Sequence, residues 1–240
     1  MDGSADAGQD PVGLGRQERR SLLGTYPAPA AHLVGAPLAP TPRYPSRWRP
    51  PLPPLQYGID YTFLRRHRSR PVRWQPDQPI IVRLCGPHRL EQATALATVV
   101  AELTGLTGLS LVAGEPWPRH PRPQTVPAHE IHVGFMLTLP AAPSLRPCAG
   151  RIGLGGAVTA LGASHYASGF AIVATNVIDP RSPLEVAVLR HELAHALGLG
   201  HAGRPNLLMY HRISAATIHF GRGDRGGLLL LNERAQPDAG

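Results

Sequence analysis

The chain has 240 residues, with 24 basic against 16 acidic side chains and a net charge of +8, and every basic residue is arginine. That length accommodates one generous domain, or a domain of about 160 residues with a long appendage. Two cysteines permit at most one disulfide, and no run of 18 apolar residues exists, which excludes a membrane-spanning helix.

The basic excess is uneven: residues 1 to 76 hold 11 Arg against 5 acids, whereas residues 77 to 240 hold 13 against 11. Met1 to Gln9 is acidic and polar, unlike a secretory signal. Ten prolines fall between Pro27 and Pro54, removing backbone donors and favouring extended geometry. Residues 1 to 70 are therefore expected to form a disordered, Pro/Arg-rich arm or propeptide-like extension. Arg65, Arg66, Arg68, Arg70 and Arg73, interleaved with Tyr61, Phe63 and Trp74, offer a surface for an anionic polymer or membrane. A solvated basic linker is the simpler reading, and no specific nucleic-acid partner is expected because no nucleic-acid fold accompanies the cluster.

From Val72 the character changes. Pro79-Ile80-Ile81-Val82-Arg83-Leu84 is a β-branched run of strand length. His88 to Leu103 reads as a helix, with Leu90, Ala93, Ala97, Val100 and Ala101 at helical spacing and Gly105 as its stop. Leu109 to Val112 is a second strand, Glu115 to Pro127 a surface loop, and His129 to Phe135 a third strand with Ile131, Val133 and Phe135 on one face. Gly150 to Val158 is a glycine-rich turn entering a strand; it lacks the Lys-Ser/Thr end and following helix of a phosphate loop. Gly169 to Ile178 is an inner strand. Ser182-Pro183-Leu184-Glu185 then sets Ser at an N-cap, Pro at the first helical position and Glu at the third, a capping box. Leu184, Ala187, Val188, Ala194 and Leu197 can pack under the sheet. Near the end, Asp224 reads as the N-cap of a terminal helix from Arg225 to Glu233.

The chemistry concentrates in His191-Glu-Leu-Ala-His195-Ala-Leu-Gly198-Leu-Gly-His201, followed eight residues later by Met209. Side chains four apart share a helix face, so His191 and His195 can offer two imidazole nitrogens to one ion. A third ligand requires the chain to break and return. Gly198 can end the helix in a left-handed turn that delivers His201. Glu192, beside the first ligand, leans toward the open position, where it can take a proton from an activated water.

This stretch resembles the signature of the metzincin clan of zinc peptidases, and the His201-to-Met209 step with Leu208-Met209-Tyr210 is most similar to the matrixin branch. Arg73-Trp74 with Pro79-Ile80, and the run from Gly221 to Leu228, resemble the first strand and last helix of bacterial matrixin-like domains. The resemblance covers roughly Arg73 to Asn232. It implies an α+β, zincin-like fold: a twisted mixed β-sheet with two long helices, a small C-terminal subdomain, and the cleft between them. The peptidase domain would span 71–236, with an upper subdomain at 71–201 and the Met-turn and C-terminal helix at 202–236. The same resemblance implies one catalytic Zn2+ on His191, His195 and His201, Glu192 as general base, and Met209 as a hydrophobic floor under the metal. It also implies a short edge strand, with Ala157 to Ala160 as the rung that aligns an extended substrate.

The chain departs from the family in places. Matrixins place Pro two after the Met, whereas this chain has His211, read as an exposed loop imidazole. The His-x-Asp pair of a second zinc site and the acidic calcium loops are missing, so one zinc and no calcium are expected, with His120, His129, His132 and His165 as surface or packing residues. Cys85-Gly-Pro-His88 lacks the Arg and Asp of the inhibitory propeptide segment and lies in the wrong place for it. Cys85 is therefore read as structural, and its pairing with Cys148 stays open. Family members are mostly exported, yet the start carries no recognisable signal, so the location stays open as well.

The expected function is zinc-dependent endopeptidase activity on a protein or peptide substrate, by a zinc-activated water with Glu192 as base, from a monomer. Two alternatives stand beside it: a zinc-binding protein that holds a peptide without cleaving it, and an anionic-surface adaptor driven by the Arg-rich arm.

Overall fold

The computed structural model describes residues 52–137, 139, 152–159, 164–176, 178 and 182–232. In chain order these form β1 (Thr62–Phe63), β2 (Arg66–His67), β3 (Arg70–Pro71), β4 (Ile80–Cys85), α1 (Leu90–Thr107), β5 (Leu111–Ala113), β6 (Glu130–Met136), β7 (Gly153–Thr159), β8 (Tyr166–Ala174), α2 (Pro183–Leu197), β9 (Leu199–Gly200) and α3 (Arg222–Asn232). The architecture is mixed: a five-stranded sheet in the order β5-β4-β6-β8-β7, with three helices among the described residues. β5, β4, β6 and β8 run parallel, while β7 pairs antiparallel with β8 at one end of the sheet.

Period-two burial sets the strand faces. Ile80, Val82 and Leu84 of β4 and Ile131, Val133 and Phe135 of β6 point into the core shared with α2. α2 is buried on every side from Ala187 to Leu197, as a helix enclosed by other elements must be. Its apolar Ala187, Val188, Ala194 and Leu197 lie in the core as the sequence predicts, whereas Leu184 is half-buried. Ser182 caps the helix, accepting from the Leu184 N–H at 3.2 Å. Glu185 does not complete a capping box. Its carboxylate is taken by Arg89 Nη2 at 2.9 Å, which ties the start of α2 to the start of α1.

α1 departs from the expected stripe. Leu90 is 79% exposed, and the buried line is Gln92, Leu96, Val99, Leu103 and Thr107. Gln92 belongs to the inner face because its side-chain oxygen accepts the Arg89 N–H at 2.9 Å, so a polar residue there is satisfied. Gly105 does not stop the helix; α1 continues to Thr107 and ends at Gly108, in a left-handed conformation with φ of 67°.

The compact unit includes residues before 71, starting at Leu52. β1 pairs antiparallel with β9, Thr62 opposite Gly200 and Phe63 opposite Leu199. Tyr57, Tyr61 and Phe63 pack ring to ring at centroid distances of 5.5 to 5.8 Å, and Asp60 accepts from Arg204 Nε at 2.7 Å. These aromatic and ionic contacts outweigh the proline density that suggested an arm. Arg68 and Ser69, both left-handed, turn the β2–β3 hairpin, and Trp74 is buried with its indole N–H donating to Ala196 O at 3.0 Å. Cys85 is fully buried, and burial pushes its thiol up to about 11, consistent with a packing role. Cys148, Ala160, Glu233 and residues 1–51 of the expected arm lie outside the described residues.

Candidate metal centre

His191 and His195 stand one turn apart on α2 and face the same side. Gly198 then closes the helix with φ of 114°, its N–H donating to Ala194 O at 3.1 Å and His195 O at 2.9 Å. A Cβ at Gly198 would come within 2.6 Å of the Tyr166 ring, so both the left-handed turn and the close approach require glycine. The chain reverses through β9 and returns His201. The result is three imidazoles with one ring nitrogen each inside 4.8 Å of the others, close enough to hold a metal ion.

The finer geometry says what such a cluster needs. His191 Nδ1 meets Leu208 O at 2.8 Å, and His195 Nδ1 meets Leu199 O at 2.6 Å. A carbonyl only accepts, so both Nδ1 atoms carry the proton and both Nε2 atoms present a lone pair. Those Nε2 atoms stand 3.0 Å apart, and His195 Nε2 is 3.2 Å from His201 Nε2. Lone pairs cannot donate to one another, so the contact between His191 and His195 is repulsive unless a cation sits between them. Two nitrogens about 2.1 Å from a tetrahedral ion stand roughly 3.4 Å apart, close to the spacing found.

Electrostatics point the same way. Burial holds His191 down at about 4, and burial followed by the nearby His191 holds His195 well below the ordinary histidine range. Both rings are neutral near pH 7. His201 is more exposed, which leaves one side of the cluster open to solvent.

Carbonyl orientation is itself supported from below. Asp224, completely buried in the first turn of α3, accepts from the Leu208 N–H at 2.9 Å, the Met209 N–H at 3.2 Å and the Gly221 N–H at 2.8 Å. Asp224 is thus not the N-cap that the sequence suggests. It lies inside the helix and pins the turn whose Leu208 carbonyl orients His191. Burial raises its carboxyl, and three backbone donors oppose that rise. Met209 is fully buried, and its carbonyl accepts the Ala202 N–H at 2.7 Å, fastening the chain just after His201. On the other side Thr62 donates its hydroxyl to His201 O at 2.7 Å. Neither Thr62 nor the ligand-orienting role of Asp224 was readable from the sequence, since each acts on the backbone of a distant segment.

Glu192 lies buried between the two α2 histidines in sequence and packs against β7. A Cβ at Gly153 would overlap its carboxylate, and one at Gly155 would overlap its main-chain carbonyl. The strand that the glycine-rich stretch was expected to enter begins at Gly153, and its glycines let α2 approach the sheet edge. His211 is exposed, its ring centre 4.2 Å from that of Tyr210 at a tilt of 51° and 6.4 Å from that of His201, outside the three-nitrogen group. His132 is buried on the far face of the sheet, bonded to Glu130 at 2.8 Å, and His165 contacts Ser164 Oγ at 3.1 Å.

Neither protein-family models nor curated proteins give a match to this chain.

Proposed function

We propose that the chain is a zinc-dependent endopeptidase of metzincin type and matrixin-like fold, with His191, His195 and His201 as zinc ligands and Glu192 as general base. The observation that carries the reading is the convergence of three imidazoles, two of them neutral and fixed in one tautomer by backbone carbonyls, beside a buried glutamate at the edge of a sheet. Three nitrogen donors and one open side form the donor set of a catalytic zinc site. Zinc held there supplies Lewis-acid polarisation of a peptide carbonyl and acidifies a water molecule.

The chain's own residues do the rest. Glu192 accepts the proton of the attacking water and returns it to the leaving nitrogen, so no serine or cysteine nucleophile is needed. Among the described residues β7 ends the sheet, and its outer backbone edge can pair with an extended peptide. Within the expected rung, Ala157, Val158 and Thr159 belong to β7. Arg65 Nη1 donates to Thr159 Oγ1 at 3.0 Å, fastening the strand's end to the β1–β2 segment.

The test is cleavage of a quenched peptide library by the zinc-loaded protein. Turnover that a chelator abolishes and added zinc restores is expected. A protein that holds one zinc and binds peptides without cleaving any would instead be a peptide-binding module.

A further inference from the structure

The sheet face turned away from α2 is not bare. Alternation along β4 and β6 sends Arg83, Glu130 and His132 to that face, and the loop from Glu115 to Pro127 folds back over them. The loop is held by backbone bonds from the Trp117 N–H to Leu84 O and from the Gly86 N–H to Trp117 O, both 2.8 Å. Pro121 sits on Gly134, where an added Cβ would lie 2.5 Å from the proline ring. Between loop and sheet remains a pocket of about 370 Å³, a size that suits a small organic molecule.

Charge in its walls is unbalanced. Glu130 Oε2 is shared by Arg83 Nε and His132 Nε2, both at 2.8 Å, and the Glu115 main-chain carbonyl takes Arg83 Nη1 at 3.1 Å. The Glu115 carboxylate acts on Arg83 as well, so Arg83 is compensated. Arg119 and Arg122 also line the pocket, and neither has a carboxylate partner among the described residues. Trp117, 47% exposed, adds a large flat surface beside them. Guanidinium groups favour oxyanions with several acceptor oxygens, and an indole face favours a flat or apolar body.

We propose that this pocket binds a small organic oxyanion, a phosphate monoester or a dicarboxylate, with Arg119 and Arg122 meeting its charge and Trp117 covering its flat or apolar part. The site lies across the sheet from the histidine cluster and does not depend on the peptidase reading. Binding weakens as salt rises, because both arginines are exposed.

The experiment is titration calorimetry of the full chain at low salt with inorganic phosphate, adenosine monophosphate, adenosine and succinate, repeated on the Arg119→Gln/Arg122→Gln variant. Saturable binding of at least one oxyanion and none of adenosine is expected, with affinity falling about ten-fold or more in the double variant while its circular dichroism is unchanged. Phosphate probes alone saturating identifies a phosphate site, and succinate alone a carboxylate site. Trp117→Ala should weaken the mononucleotide more than inorganic phosphate if phosphate is the group taken. No saturation by any oxyanion up to about 10 mM, or equal affinity in the double variant, overturns the proposal.

Discussion

At the scale of single residues, the histidine cluster is built by backbone carbonyls as much as by its imidazoles. Leu208 O and Leu199 O decide which nitrogen of His191 and His195 faces inward. Because burial depresses both histidines, the metal-free protein should lose stability as pH falls. The unfolded chain takes up protons below about 6.5, whereas folded His191 resists protonation down to about 4, so stability drops across that window. Thermal melts of chelator-treated protein between pH 7 and 4 should show the fall, and zinc at pH 7 should raise the melting temperature. Asp224 offers a second test. Asp224→Ala strands three backbone N–H groups and should cost at least about 2 kcal/mol in denaturant unfolding, with weaker zinc binding. The clustering of His191, His195 and His201 was legible because helical spacing and a breaker glycine place them without reference to the rest of the chain. Thr62 and the supporting role of Asp224 were not, since a threonine in an aromatic stretch and an aspartate near a helix start each have local explanations.

Elements meet at the α2–β7 contact, and there small residues decide the distance. Gly155 faces the main-chain carbonyl of Glu192, which cannot move without moving the helix, whereas Gly153 faces the side chain of Glu192. Gly155→Ala should therefore destabilise the fold by about 2 kcal/mol or more, while Gly153→Ala should lower turnover more than stability by displacing the carboxylate. Comparing chemical denaturation with peptide cleavage for the two variants checks the split. The strands were readable from alternation, and the start of α2 from Ser182 and Pro183. The inner face of α1 was not: alanines and leucines occur around most of that helix, and Gln92 is accepted inside because the Arg89 N–H meets its oxygen and Glu185 its amide nitrogen. Glu185 likewise fits a capping box in sequence, but Arg89 from another element competes for its carboxylate more strongly than the local backbone does.

Across the whole molecule, the segment from Leu52 to Pro71 closes the fold around the centre. β1 lies against β9 between the second and third histidines in sequence, and Thr62 fixes the backbone of His201. Thr62→Val, which keeps the shape and removes the hydroxyl, should weaken zinc affinity about five-fold, measured by competition with a chelating dye, and leave the sheet intact by circular dichroism. The proline count hid this segment, because its pairing partner lies 138 residues away at Gly200 and no local pattern announces so distant a bond. The central claim is that the three histidines hold zinc and Glu192 moves the proton. Glu192→Gln, with zinc content and peptide turnover measured on the same preparation, tests it most directly. One zinc per chain retained and turnover reduced at least about 10³-fold is the predicted result; turnover near that of the unaltered protein, or no zinc bound by either, would contradict it.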